Sequence, residues 1–388
     1  MKIKKILPWI FLVIPVIAAA SPLFSPAWGF RLDPPENYRY AGGDGKDRFS
    51  FNSAEGASLD VAVYPAPGGN APYGSVEALA RDVRRRLGGK GAISFFEYRR
   101  KKAAVLELVF SKSGGPTSGF SGWGLCVELG RPSETGRDAG RPLLLALAYG
   151  PEGKEELAGL YLSALDSIVP EEGDRRYPGP ITEFGYPRQN RRLMPLASLD
   201  AEAWFYEEDA EASQALVDRE FGVLKLSPPG PSLEEARKRF YRAIYRDAFD
   251  RLADAAFVVE RKLNVPPLEN RDLAEQALRW VQGFEYQRDL MGSDFVNLVS
   301  AVREGRGDCD SRAMLWTLIL NQANIPAAIM ISAELGHAMA LAELPGTGAR
   351  FETSGKKWLV AETTAKVALG LIAQDYSEIS KWTGILFE

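Results

Sequence analysis

The spacing of apolar and polar residues predicts mostly strands in the first part of the chain. Between Phe30 and about Pro170, SLDVAVY alternates apolar with polar positions, which is typical of a strand with a buried face, and four further segments are also predicted to be strands. The predicted strands are SLDVAVY (58–64), ISFFEYR, AAVLELVFS, GWGLCVEL and RPLLLALAYG. We expect them to form a mostly antiparallel sheet.

Two predicted helices accompany this sheet. Over 75–87 the apolar residues fall on one helical face, Ser75 can cap the start, and two glycines can end the helix. A second helix is predicted over 154–169, KEELAGLYLSALDSIV. The pattern therefore predicts an α+β domain over 30–172. Its order of elements resembles the sandwich of the photosystem-associated PsbP and Mog1 proteins.

A stretch marked by proline and glycine, 175–190, indicates a boundary after that domain. The longest helical pattern follows at 231–263, where Ser232 and Glu235 predict a capping box. The pattern has a single apolar stripe, formed by Phe240, Ile244, Ala248, Leu252, Ala256, Val259 and Leu263. The stripe predicts core packing between domains, with a partner-binding helix as the alternative. We expect 173–264 to form a linker and a helical bridge.

The last part of the chain, 265–388, is predicted to be one compact α+β domain. A helix with one apolar face spans 270–284. A second helix, 309–324, is apolar nearly all round and should be buried, and Pro326 prevents it from continuing. Three predicted strands follow: IPAAIMIS, GHAMALAEL and KWLVAETT.

Composition narrows the possible functions. The chain has 388 residues, of which 46% are apolar and 25% charged, as in ordinary globular proteins. Its net charge is −4, and its basic runs are too short for a nucleic-acid footprint. One histidine and two distant cysteines do not make a usual zinc site, and no glycine fingerprint for a dinucleotide is present. We therefore expect no metal, no cofactor and no nucleic-acid partner.

The first 29 residues resemble an export signal. MKIKK is a basic head, an apolar run follows from Ile6 to about Ala20, and small residues come next. Cleavage could follow Ala20 or Gly29. The run ends without a cysteine, which excludes a lipid-modified one there. The apolar run is short for a transmembrane span. The alternative to a cleaved signal is an uncleaved N-terminal anchor, which would be the only membrane contact that we expect. The sequence predicts export to a periplasm, cell envelope or extracellular space.

Candidate chemistry centres on Cys309, where glycines lead into the start of the buried helix. Asp308 can cap this helix, which places Cys309 in the first turn, facing free backbone N–H groups. That position favours a thiolate, and the same N–H groups can hold an oxyanion. The other cysteine, Cys126, could form a disulfide with Cys309, but the two lie in separate predicted domains.

A thiol nucleophile needs a proton donor and acceptor, and His337 is the only histidine of the chain. Its imidazole needs an orienting carboxylate, and Glu362 lies on the next predicted strand. If these two strands pair antiparallel, we expect His337 and Glu362 to lie nearly opposite each other. Singly, the cysteine and the histidine would each be ordinary packing residues. Together with Glu362 they predict a Cys-His-Glu triad.

These segments, GDCDSRAMLWTLILNQANIPA, GHAMALAEL and WLVAETT, resemble the transglutaminase-like superfamily over about 265–388. The resemblance implies a papain-like fold and acyl transfer through a thioester, with Cys309, His337 and Glu362 as catalytic residues. The family more often has aspartate as the third residue. Some members place an aromatic residue near the oxyanion, and Tyr286 is the candidate here, for that role or as a wall.

The resulting expectation is an exported cysteine enzyme that acts on a protein or peptide substrate. If water accepts the acyl group, the enzyme is a peptidase or amidase, and if an amine accepts it, the enzyme forms cross-links. The alternative from another class is a non-catalytic envelope protein that binds or scaffolds and retains the fold.

Overall fold

The structure is a computed structural model that describes residues 22–66, 71–111, 119–130, 140–288 and 293–387. Most of the predicted export signal, 1–21 of 1–29, lies outside these ranges. Within them, no helix has the length and apolar character needed to cross a membrane. The predicted α+β class is confirmed.

The N-terminal elements form one large antiparallel sheet with a helix on each face. They are β1 (Leu23–Phe24), β2 (Arg31–Leu32), β3 (Tyr38–Gly43), β4 (Arg48–Ser53), β5 (Ser58–Tyr64), α1 (Val76–Arg86), β6 (Ile93–Tyr98), β7 (Lys101–Ser111), β8 (Gly119–Glu128), β9 (Leu143–Pro151) and α2 (Ala158–Asp166). Seven of the strands pair in the order β3-β4-β5-β9-β8-β7-β6. Ser75 caps α1, as predicted, because its side chain accepts a hydrogen bond from the N–H of Ala78.

Each face of this sheet has its own hydrophobic core. The core under α1 contains Leu79 and Val83 with Leu106 and Cys126 of the sheet. The opposite core contains α2 and the alternate residues of the same strands. Because helices cover both faces, the central strands are apolar on both sides, which explains the nearly unbroken LLLALAYG of β9.

The middle of the chain is mainly helical. It contains α3 (Pro180–Gly185), β10 (Arg191–Pro195), β11 (Glu202–Tyr206), α4 (Asp209–Lys225), α5 (Pro231–Arg251) and α6 (Ala253–Leu263). The single helix predicted over 231–263 is wrong, because the backbone of Leu252 (φ −100°, ψ 6°) leaves the helical region and separates α5 from α6. The predicted capping box is also wrong. Pro231 already occupies the first turn, where its fixed φ suits a helix start, and no side chain caps α5.

The apolar stripe of α5 and α6 is buried, as its core-packing interpretation predicted. Phe240, Ile244, Ala248 and Val259 lie in the same core as the helix that carries Cys309. The middle helices and the C-terminal elements are therefore held together by one continuous hydrophobic core.

The C-terminal elements place that helix on a second antiparallel sheet. They are α7 (Asn270–Gln282), β12 (Glu285–Tyr286), α8 (Leu298–Glu304), β13 (Arg306–Gly307), α9 (Cys309–Gln322), β14 (Ala327–Ser332), β15 (His337–Ala342), β16 (Arg350–Thr353), β17 (Lys356–Ala361) and β18 (Thr383–Leu386). The five-stranded sheet has the order β16-β17-β15-β14-β18. Ala338 and Ala340 of β15 share the core of α9, whereas Met339 and Leu341 face a separate core on the other side.

Candidate functional site

The start of α9 is fixed by a side-chain cap. Asp308 has extended backbone angles, and its carboxylate accepts a hydrogen bond from the N–H of Ser311 at 2.7 Å. Just before it, Gly305 ends α8 with φ +68°, a conformation that favours glycine. Cys309 is thus the first residue of α9, and its side chain is buried at 6% exposure.

Arg312, one turn into α9, holds the loop before Cys309. Its Nε donates to the carbonyl of Gly307 at 3.1 Å, and its Nη2 donates to the carbonyl of Phe284 at 2.6 Å. The side chain is 2% exposed. We did not single out this arginine from the sequence, although a basic residue just before the long apolar run of a buried helix was the available signal.

His337 and Glu362 are in direct contact. The distance from His337 Nε2 to Glu362 Oε2 is 2.8 Å. The predicted opposite placement is wrong in detail, because β15 and β17 pair Ala340 with Ala361, so Glu362 follows the end of β17 and lies diagonal to His337. The length of the glutamate side chain bridges this offset.

The carboxylate of Glu362 is held in place by its neighbours. Its Oε1 accepts hydrogen bonds from the N–H and hydroxyl of Thr364 at 2.7 and 2.6 Å. Gln282 of α7 donates to the backbone carbonyl of Glu362 at 2.8 Å. Burial opposes ionisation, but the hydrogen bonds from His337 and Thr364 outweigh it and lower the pKa of Glu362. Glu362 is therefore a carboxylate, and it accepts a hydrogen bond from His337 in the tautomer that carries the proton on Nε2.

Two aromatic rings cover the imidazole. Tyr376 stacks on His337 with ring centroids 4.7 Å apart and an interplanar angle of 24°. Trp382 lies edge-on to His337 at 6.2 Å, and its indole N–H donates to the carbonyl of Tyr376. These rings shield the imidazole from water. Sequence reasoning missed both, because they lie in an irregular segment with no periodic pattern.

Cys309 lies beside the start of β15 but does not bond His337. The backbone N–H of Ala338, the residue after His337, points at the sulfur. Within the described ranges, no hydrogen bond joins Cys309 Sγ to the imidazole. The thiol contacts the side chain of Asp310, with 3.8 Å between Sγ and Oδ2. The hydroxyl of Tyr241, on α5, donates to Oδ1 of Asp310 at 2.9 Å.

These surroundings overturn the expectation of a stabilised thiolate. Burial raises the pKa of Cys309, and the carboxyl groups of Asp310 and Asp308 raise it further. The N–H groups of Ala338 and Asp310 act in the opposite direction but do not outweigh these causes. Burial, and then the charge of Asp310, also raise the pKa of Asp308 to about 8. Helix-end dipoles alone therefore do not ionise the thiol in this arrangement.

Tyr286 lies at the mouth of the site. It pairs with Gly307 in the short parallel ladder of β12 and β13, two residues before the thiol. The side chain is 55% exposed, and the guanidinium of Arg312 lies 5.5 Å from its ring. Burial and then the electrostatic effect of Cys309 raise the pKa of Tyr286.

The two cysteines do not form a disulfide. Both are free thiols, and Cys126 is fully buried in the N-terminal sheet domain.

Comparisons with known proteins leave the chain without an assigned family. No family model matches it, and no curated protein matches it. One solved structure, from Bacteroides thetaiotaomicron, aligns over 88% of both chains with 10% identity and a TM-score of 0.26. Another, a candidate protease from Parabacteroides distasonis, aligns over 81% of this chain and 69% of its own with 11% identity and a TM-score of 0.20. TM-scores this low carry no argument about fold or function.

Proposed function

We propose that the chain is an exported cysteine hydrolase that cleaves peptide or amide bonds through a thioester. Cys309 is the nucleophile, His337 transfers protons, and Glu362 orients the imidazole. The observation that carries this proposal is the 2.8 Å bond between His337 Nε2 and Glu362 Oε2, formed beside a thiol at a helix start. The resemblance of the Cys309, His337 and Glu362 segments to the transglutaminase-like superfamily supports it.

The raised pKa of the thiol defines the first step. Cys309 rests as a neutral thiol, so Nδ1 of His337 takes the proton while the sulfur attacks the substrate carbonyl. Sγ and Nδ1 have to be brought into contact by a rotation of the side chains, and such contacts often tighten only when substrate binds. The carboxylate of Glu362 stabilises the imidazolium that forms.

The remaining steps return the enzyme to its resting state. Backbone N–H groups near the thiol, those of Asp310 and Ala338, are placed to stabilise the negative oxygen of the tetrahedral intermediate. The C–N bond then breaks, and the amine leaves with the proton from His337. His337 next takes a proton from water, whose oxygen attacks the thioester carbonyl. The C–S bond then breaks, the acid leaves, and the imidazolium of His337 returns its proton to the sulfur of Cys309. Tyr286 forms a wall of the substrate site.

The test is cleavage of a peptide library by the purified protein, read by mass spectrometry. We expect cleavage that disappears in Cys309→Ala and is unchanged in Cys126→Ala, the matched control at the other free cysteine. Cleavage that persists in Cys309→Ala would refute the assignment. Adding a fluorescent primary amine separates the two acceptors, because its incorporation into the substrate indicates cross-linking rather than hydrolysis.

A non-catalytic scaffold is the second candidate, and one observation favours it: the thiol is 6% exposed and its pKa is raised. Acylation by p-nitrophenyl acetate distinguishes the two. The enzyme should release a burst of one p-nitrophenol per chain, because the acyl group is transferred to Cys309 before it is hydrolysed. A scaffold should show no burst above that of Cys309→Ala.

A further inference from the structure

A cavity of about 520 Å³ lies between the N-terminal sheet domain and the middle helices. Small-molecule sites commonly measure roughly 300–1,000 Å³ and occur at domain interfaces. The walls come from β2, α2, α4, α5 and the end of β18. Neither Cys309 nor its proposed partners line the cavity, so it is separate from the thiol site.

Arginines outnumber carboxylates in the lining of the cavity. Seven arginines and four carboxylates line it. Part of this charge is neutralised in a fixed network, in which Arg219 pairs with Asp166 at 2.5 Å and Arg239 pairs with Glu220 at 2.8 Å. Arg242 pairs with Asp33 at the edge. Arg31 and Arg175 both pair with Glu172. The lining arginines that form no ion pair with a described carboxylate are Arg246 and Arg176.

Arg246 is the first of these. Its Nε, Nη1 and Nη2 donate to the backbone carbonyls of Tyr177, Asp166 and Ile168 at 3.0, 2.9 and 3.1 Å. Carbonyl oxygens satisfy N–H groups but carry no net charge. Among the described residues, no carboxylate lies within ion-pair distance of Arg246, and Asp166 and Asp174 interact with its charge only over a longer distance. An oxyanion in the cavity could therefore form a direct ion pair with it.

Arg176 is the second, and it lies next to an aromatic surface. Its guanidinium is 4.8 Å from the ring centroid of Phe249, and the described part of the chain provides no carboxylate within ion-pair distance. Phe249 lies on α5 one turn after Arg246, so both lie on the cavity side of that helix. Another aromatic pair also lines the cavity, because Tyr245 stacks on Phe387 with ring centroids 4.0 Å apart.

We propose that this cavity binds a small organic anion that carries a flat apolar group. The carboxylate or phosphate of the ligand pairs with Arg176 and Arg246, and its flat group packs against Phe249 and Phe387. Guanidinium groups suit both kinds of oxyanion, since they present parallel N–H donors. This site is independent of the thiol chemistry proposed above.

The test is calorimetric titration of the full chain carrying Cys309→Ala, which removes turnover. Phenyl phosphate, benzoate and benzylamine serve as probes of similar size and different charge. We expect both anions to bind and benzylamine not to bind. Tighter binding of phenyl phosphate would identify a phosphate ligand, and tighter binding of benzoate a carboxylate.

Three substitutions test whether the anions bind in this cavity. Arg176→Gln should weaken anion binding roughly tenfold, the effect of losing one charged hydrogen bond. Arg261→Gln is the matched control, because Arg261 lies 5.7 Å over the ring of Phe257 but outside the cavity, and it should change nothing. Ala243→Trp, which fills the cavity, should abolish binding while the thermal unfolding midpoint stays close to that of the parent.

Three results would overturn the proposal. They are no binding of either anion, equal binding of benzylamine, or unchanged affinity in Arg176→Gln.

Discussion

His337 and Glu362 are bonded through Nε2 and Oε2 although they lie diagonally in the strand register. The lowered pKa of Glu362 makes its carboxylate an acceptor in this bond. Tyr376 and Trp382 pack against the imidazole. In the proposed mechanism this bond leaves Nδ1 of His337 to accept the thiol proton.

Replacing this carboxylate tests its role. Glu362→Gln should lower kcat by roughly 10²–10⁴-fold, because an amide can donate to Nε2 and favour the wrong tautomer. The measurement is steady-state hydrolysis of a peptide or of p-nitrophenyl acetate. Glu352→Gln, on the exposed side of β16, is the control and should keep full activity. Equal kcat in Glu362→Gln and the parent would contradict the assigned role.

Asp310 should hold the thiol protonated. Its Oδ2 lies 3.8 Å from Cys309 Sγ, and its charge contributes to the raised pKa of that thiol. Asp310→Asn should therefore lower the thiol pKa, with about a tenfold faster iodoacetamide reaction at pH 7 for each unit lowered. Asp272→Asn, an exposed aspartate on α7, is the control. An alkylation rate in Asp310→Asn that matches the parent would show that burial alone sets the thiol pKa.

Elements with one buried face were predictable from the sequence. The helix predicted over 75–87 is observed as Val76–Arg86. It was predictable because its apolar face and its Ser75 cap both indicate a helix that starts at this point. The strands β10 and β11 were missed. β10 is almost wholly exposed, and β11 has a buried face, Ala203 and Phe205, but its exposed positions include Trp204, so the sequence shows no apolar–polar alternation. The break at Leu252 was missed because the apolar stripe continues unchanged through it.

Candidate residues for the site could be chosen from the sequence because cysteine and histidine are rare in this chain. A single histidine and a cysteine after a glycine turn identified Cys309 and His337, and strand order identified Glu362. The contact of Tyr241 with Asp310 joins residues 69 apart in sequence, so no local pattern reveals it. The thiol pKa was predicted in the wrong direction because the sequence shows the helix start but not the burial around it.

Asp308 makes stability depend on pH. Its folded pKa, about 8, lies above the roughly 3.9 of an unfolded aspartate, so the folded state holds the proton more tightly. This contribution to stability is complete below about pH 4 and is lost as pH rises towards 8. Asp308→Asn keeps a helix cap but cannot ionise. Its thermal midpoint should therefore fall less than that of the parent between pH 5 and pH 8.

The control for this measurement is Asp200→Asn, at an exposed aspartate, which should follow the parent curve. Parallel curves for Asp308→Asn and the parent would show that Asp308 is ionised in the fold at neutral pH.

Arg312 should be needed for both stability and the position of Cys309. Arg312→Lys cannot donate to the carbonyls of Gly307 and Phe284 in the same planar arrangement, so we expect a loss of about 1–3 kcal/mol in the free energy of unfolding. Denaturant unfolding measures this loss. Arg306→Lys, in the same loop but half-exposed, should cost much less. Equal losses in the free energy of unfolding for Arg312→Lys and Arg306→Lys would contradict a special role for Arg312.

The central claim is that His337 activates Cys309 as a nucleophile, and a thiol-directed activity probe tests it most directly. A peptidyl acyloxymethyl ketone, followed by mass spectrometry at pH 7, should label Cys309 alone, leave the buried Cys126 unmodified, and react at least about 100-fold more slowly with His337→Ala. Labelling of Cys309 at the same rate in His337→Ala and the parent, both correctly folded, would contradict the account.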